Sequence, residues 1–340
     1  LIRKTVLYFL LPLSVLLLIY FVTDKYGLVN YSPQKKNKED SLKIIHLPNE
    51  GIVSNADSAR IYNSCLQWFD TVLKPVGFNG GMLVAKNGKV IFEKYSGTTH
   101  LPGLDTITDI TPMHIASISK TFTAMAVLKL MQDGKLALDD EFSKYFPSFN
   151  YPGITIRSLL CHRSGLPNYN YFMHDLGWNQ NQFISNKDVL DYLITRKPAL
   201  QDVSAPNTHF SYCNTNYVLL ALLIQKVTNM KYSDYMQETF FRPLQMKDTY
   251  VFTLTDTLKA TPSYDWRGRL EIFNFLDQVY GDKNIYTTPR DLLIWDRALK
   301  DGILFNHETL QQAYAPYSNE KPGIRNYGLG WRMNIFPDGN

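Results

Sequence analysis

The stretch that decides the fold is Ile115-Ala116-Ser117-Ile118-Ser119-Lys120-Thr121-Phe122-Thr123-Ala124, which runs on without Gly or Pro to Asp133-Gly134. Its spacing predicts a helix from about Ser117 to Asp133, closed by Gly134. Phe122, Met125, Ala126 and Leu128 form an apolar stripe wide enough to demand deep burial. Three positions apart, Ser117 and Lys120 then project from one helical face a single turn apart. A serine hydroxyl is a weak nucleophile until a neighbour takes its proton. A lysine amine in a dry cleft can accept or relay that proton. A serine at a helix start also has its own backbone N–H and the helix dipole available to an oxyanion.

The pattern alone is weak, because Ser32-Pro33-Gln34-Lys35 repeats it in a polar stretch where no helix forms. Context separates the two. Upstream of Ser117, residues 81–86 and 89–95 flank Asn87-Gly88, a strong hairpin signal. Before that, residues 57–73 have helical spacing, with Ile61, Leu66, Phe69 and Leu73 near one face. Downstream, Phe210-Ser211-Tyr212-Cys213-Asn214 precedes an apolar helix from about Asn216 to Thr228. A phenol beside an ammonium can act as base toward serine and acid toward a leaving group. Asn214 offers an amide to orient Lys120 or a substrate carbonyl. Tyr317-Ser318-Asn319 repeats the Tyr-x-Asn spacing with no helix behind it.

These stretches together resemble the serine β-lactamase and penicillin-binding protein family, in particular class C β-lactamases and their D-alanyl-D-alanine carboxypeptidase and esterase relatives. Three further segments are similar to family landmarks and follow in the same order: Ile154 through Leu166, with Leu160-Cys161-His162-Arg163-Ser164-Gly165; Phe241-Arg242-Pro243-Leu244-Gln245-Met246; and Gly281-Asp282-Lys283-Asn284-Ile285-Tyr286. The resemblance implies an α/β (α+β) fold, with an antiparallel sheet flanked by helices and a mainly helical insertion at about 140–275. It implies Ser117 as the acylated nucleophile, Lys120 as its proton partner, Tyr212 as general base or acid and Asn214 as a substrate-binding group. Either Lys120 or Tyr212 takes the first proton. The implied reaction opens an amide or ester of a small-molecule or peptide substrate, a D-alanyl peptide or a β-lactam, with no metal or organic cofactor.

Three departures from the family pattern stand out. Cys213 occupies a position usually held by a small residue. Asn284 replaces a frequent glycine and is expected to keep a positive φ. The third motif, Lys-Thr-Gly or His-x-Gly, belongs after a strand expected at 327–336, which opens Tyr327-Gly328-Leu329-Gly330-Trp331, yet none of the seven histidines falls there before Asn340. The later strands and closing helix are therefore expected beyond these 340 residues, the first of which is Leu1 rather than methionine; a truncated, non-catalytic receptor or scaffold is the alternative. An esterase is a further possibility, with the aromatic run Asn168–His174 either lining an acyl pocket or serving only as packing.

The N-terminus adds a location. Arg3 and Lys4 precede 18 uncharged residues, Thr5 to Val22, which as a helix span about 27 Å, close to a bilayer's hydrocarbon core. Residues 1–22 are read as an uncleaved membrane anchor, with a cleaved signal as the alternative. Residues 23–56 form a polar linker and 57–340 the hydrolase domain, expected outside the cytoplasm. A net charge of +4, from 35 basic and 31 acidic residues spread along the chain, leaves no nucleic-acid footprint. Cys65, Cys161 and Cys213 lie too far apart for a Cys-x-x-Cys metal or redox pair and read as free thiols.

Overall fold

The computed structural model describes residues 44–101, 104–200, 203–320, 323–336 and 338. The expected anchor at 1–22 and most of the expected linker lie outside them. Residues 44–54 already lie against the domain: Ile45 N–H donates to Pro243 O (2.8 Å), Gly51 N–H to Asn87 O (2.8 Å), and Val53 is buried. Helix α1 (Asn55–Trp68) starts where Ser54 Oγ accepts the Asp57 N–H, slightly before the expected boundary. It gives way to a π turn at Phe69–Leu73, where the buried Phe69 ring meets Phe78 and Phe92.

The predicted hairpin forms as β1 (Gly80–Lys86) and β2 (Lys89–Ser96), antiparallel, with a bulge at Val84/Ala85. Asn87 and Gly88 both take left-handed φ, 55° and 79°, as a two-residue hairpin turn requires. A second antiparallel pair, β3 (Thr98–Leu101) and β4 (Leu104–Thr106), leads to β5 (Met113–His114). Helix α2 (Ser119–Gln132) follows and is buried on nearly every side, from Ser119 and Lys120 through Leu130.

The middle of the chain is helical: α3 (Ile156–Leu160), α4 (Tyr169–Asp175), α5 (Asn186–Thr195), α6 (Asn214–Thr228) and α7 (Tyr232–Met236). Thr155 and Ser185 close capping boxes on α3 and α5. The helical run ends earlier than the expected 275. After a π turn at Gln237–Phe241, the chain returns to sheet at β6 (Tyr250–Val251) and makes a short hairpin, β7 (Ser263–Tyr264) with β8 (Leu270–Glu271). Strand β9 (Ile285–Thr287) then inserts between β5 and β6, antiparallel to both. A fully buried Ile-Tyr-Thr with neighbours on both edges explains the return.

Helices α8 (Pro289–Lys300) and α9 (His307–Ala313) precede β10 (Arg325–Tyr327) and β11 (Arg332–Asn334). The single strand expected at 327–336 is thus a hairpin, because Gly328-Leu329-Gly330-Trp331 turns the chain back: Gly328 N–H donates to Trp331 O, and Gly330 takes φ 93°. The described strands make five small antiparallel sheets, set among helices. The core is built on α2 against α6. Phe122 stacks on Trp295 of α8 with ring centres 4.5 Å apart and meets Phe241 edge-on. Helices apolar around their whole circumference belong in such a centre.

Candidate active site

The chain enters the site from β5. Ile115 N–H donates to Ile285 O (3.0 Å), and Ala116 then takes a left-handed φ of 45°. Ser117 therefore lies in a 3₁₀ turn, Ala116–Ile118, ahead of the α-helix that was expected to begin on it. The turn leaves the Ser117 side exposed while Ser119 and Lys120 point inward. Ser119 Oγ accepts the Ile285 N–H (3.1 Å), which locks the start of α2 to β9.

Lys120 is 1% exposed, yet its ammonium has two oxygen acceptors: Ser117 Oγ at 3.1 Å and the Asp282 backbone carbonyl at 2.7 Å. Its Nζ also lies 5.1 Å from the Tyr212 ring centre and 5.7 Å from that of Tyr217. Ser117, Lys120 and Tyr212 are thus brought together, with Tyr212 meeting Lys120 through its ring face. Asn214 sits at the start of α6. Its Nδ2 donates to Asn170 Oδ1 (2.9 Å), while its Oδ1 is buried without a hydrogen-bond partner.

Neither α2 nor α6 has a side-chain cap at its first turn, unlike α1, α3, α4, α5, α8 and α9.

Several site residues escaped sequence reasoning. Asp282 is fully buried; desolvation pushes its carboxyl above the usual range, against the opposing pull of the Lys120 charge. Its Oδ2 accepts from Tyr169 Oη (3.0 Å), and its Oδ1 has no partner. His162 packs its ring 4.3 Å from that of Tyr212. Arg332 places its guanidinium carbon 4.8 Å from the centre of the same ring. It reaches there because β11 pairs Arg332 with Tyr327, whose own ring packs on His162 and Phe210. Arg332, Arg325, Tyr327 and Phe210 also line an adjoining cavity of about 1010 Å³. Asp282 and His162 sit inside landmark stretches of the sequence, but nothing local marks which atoms they present to Lys120 and Tyr212. Arg332 carries no sequence signal beyond following Gly-Leu-Gly-Trp.

The aromatic run 168–174 lies in α4, with Tyr169, Phe172 and Met173 buried in the core and Tyr171 exposed. Asn284 takes φ 74°, as expected, and its Nδ2 donates to the carbonyls of Asp277 and Val279. Cys213 is buried with its Sγ at 3.3 Å from Leu166 O, and burial raises its thiol pKa. All three cysteines are free thiols. Among the described residues, no group of three or more His, Cys, Asp or Glu side chains could hold a metal ion, and no helix is long and apolar enough to cross a membrane.

The chain is similar to several known proteins. The chain is 29% identical over 287 residues to Penicillin-binding protein 4* of Bacillus subtilis, covering 79% of this chain and 63% of that one. It thus spans less than two thirds of that relative's length. A crystal structure of a penicillin binding protein from Bacillus halodurans superimposes with a TM-score of 0.69 at 25% identity, covering 80% of this chain and 84% of that one. D-amino acid amidase from Ochrobactrum anthropi SV3 does so with a TM-score of 0.59 at 25% identity, covering 76% of each. The model of the Beta-lactamase family matches residues 70–339, and the chain belongs to that family.

Proposed function

We propose that this chain is the acylating part of a serine hydrolase, in which Ser117 attacks the carbonyl of an amide or ester. The observation that carries the reading is Lys120, buried to 1% exposure with its Nζ 3.1 Å from Ser117 Oγ. In the acylation step the Ser117 Oγ–carbonyl bond forms and the bond to the leaving nitrogen or oxygen breaks. The serine proton passes through the Lys120–Tyr212 pair to the leaving group. Water then releases the acyl group and restores Ser117. Asn214, with a buried and unpartnered Oδ1, has an acceptor to offer a substrate N–H.

Arg332 favours substrates that carry a carboxylate, such as a D-alanyl peptide or a β-lactam. A guanidinium over the Tyr212 ring, at the edge of the cavity, provides a fork for a carboxylate next to the reacting carbonyl. The names of the Bacillus relatives, both penicillin-binding proteins, support the same class. The uncharged run at 5–22 supports a tether that holds the domain at the outer face of a membrane.

The test is to incubate the full-length protein with a fluorescent penicillin and, separately, with an activated ester, and to map any adduct by mass spectrometry. An adduct on Ser117, absent in Ser117→Ala, is expected. No adduct from either reagent would overturn the hydrolase reading; labelling by the ester alone would overturn the β-lactam-like substrate.

A further inference from the structure

We propose that His162 is the positioning residue for Tyr212, holding it in place by gripping the chain on both sides of it. The role rests on the serine-hydrolase reading of Ser117 and Tyr212. His162 follows the end of α3, fully buried and in a left-handed backbone conformation, φ 58°. Its backbone carbonyl accepts the N–H of Ser211 at 2.9 Å. Its Nδ1 accepts the N–H of Cys213 at 3.0 Å. One residue thus holds the N–H groups of Ser211 and Cys213, the two neighbours of Tyr212 in the chain, while its ring packs against the Tyr212 ring at 4.3 Å.

The imidazole is itself held in one state. A backbone N–H can only donate, so Nδ1 carries a lone pair and the proton resides on Nε2. Nε2 then donates to Tyr327 Oη at 3.2 Å. Asn216 Nδ2 lies 3.3 Å from Nδ1, and Asn216 Oδ1 accepts from Ser164 Oγ at 2.6 Å. Burial, with the Lys120 and Arg332 charges nearby, pushes the imidazole well below its usual pKa. The bond lies at the entry to α6, which starts just after Cys213 and has no side-chain cap of its own. Without the imidazole acceptor the Cys213 N–H is left buried and unpaired, a loss that favours a shifted turn. A shift of about 1 Å in a catalytic group costs about 10²-fold in rate.

Two substitutions separate positioning from bulk. His162→Asn keeps an acceptor near the Nδ1 position and tolerates left-handed φ. His162→Gln carries its amide to the depth of Nε2, toward Tyr327, and abandons Cys213. The full-length wild type and both variants are reacted with whichever of the fluorescent penicillin or activated ester labels wild-type Ser117. Reagent binding and the acylation step are resolved by varying its concentration, and thermal midpoints confirm folding. His162→Asn is expected to acylate within about threefold of wild type, and His162→Gln about 10²-fold more slowly with reagent binding unchanged. In a Tyr212→Phe background, His162→Gln should cost less than about threefold, because the residue acts through Tyr212.

Wild-type rates in His162→Gln overturn the role, as does an equal loss with and without Tyr212. Should His162→Gln not fold, a folded His162→Asn that fails to acylate overturns it equally. A wild type that neither reagent labels would remove the hydrolase reading and the role together. A labelled wild type with an equally labelled His162→Gln removes the role alone.

Discussion

Lys120 and Tyr212 show how much single residues depend on what faces them. The spacing of Ser117 and Lys120 predicts their contact, and the two meet at 3.1 Å. The second acceptor on Lys120 is the carbonyl of Asp282, 162 positions away, which no spacing rule reaches. Tyr212 likewise meets Lys120 and Arg332, each about 100 positions away along the chain, with ring-centre distances of 5.1 and 4.8 Å. Arg332→Gln tests the proposed carboxylate contact. For a peptide ending in D-Ala-D-Ala, KM should rise about 10-fold or more with kcat little changed, since a charge-assisted bond contributes about 1.5–3 kcal/mol. The same peptide with its C-terminal carboxylate amidated should show no such change. Equal losses on both peptides would place Arg332 in the fabric of the site rather than on the carboxylate.

At the scale of elements, the β10–β11 turn is pressed directly onto α2. A Cβ on Gly330 would come 2.3 Å from Ala124 Cβ, and the backbone there has φ 93°. Gly330→Ala should therefore destabilise the fold by about 2–4 kcal/mol, through overpacking plus strain. Gly134 ends α2 at φ 68°, and a Cβ there would meet nothing within 4 Å, so it isolates the strain alone. Gly134→Ala should cost only about 1 kcal/mol. Urea denaturation of both variants checks the difference, and equal losses would deny the close approach. The same element explains why the strand expected at 327–336 is a hairpin. Alternation and aromatic content predict extended chain, but Gly328 and Gly330 allow a tight reversal that only contact with α2 and α9 selects. The start of α2 follows the same logic. Propensity places a helix over 117–133, while bonds from Ile115 and Ser119 to Ile285 set its actual entry.

At the scale of the whole molecule, the buried His162 makes the fold sensitive to mild acid. An unfolded histidine titrates near pH 6.5, whereas burial holds His162 well below that value in the fold, with Lys120 and Arg332 adding to the effect. Below about pH 6.5 the unfolded chain therefore binds a proton that the fold does not, so stability falls as pH drops through this range. His114, lowered mainly by burial, acts in the same direction. The urea midpoint of wild type should fall between pH 7.5 and pH 5, and less steeply in His162→Asn. Identical slopes would show that His162 is protonated in the fold without cost.

What the sequence determined by itself is the chemistry that follows local periodicity. Ser117 and Lys120 share a helical turn, Asn87-Gly88 closes a hairpin, and the chain from Asn216 to Thr228 is helical, since each depends on interactions within a few residues. The order of the landmarks was equally legible, and it identified the family. What only the tertiary structure decided is which groups face the reacting pair: the Asp282 carbonyl on Lys120, the two bonds of His162 that bracket Tyr212, and Arg332 over the Tyr212 ring. Those contacts join residues about 50 to more than 160 positions apart. Burial and backbone hydrogen bonding bring them together, and neither leaves a mark in the local sequence.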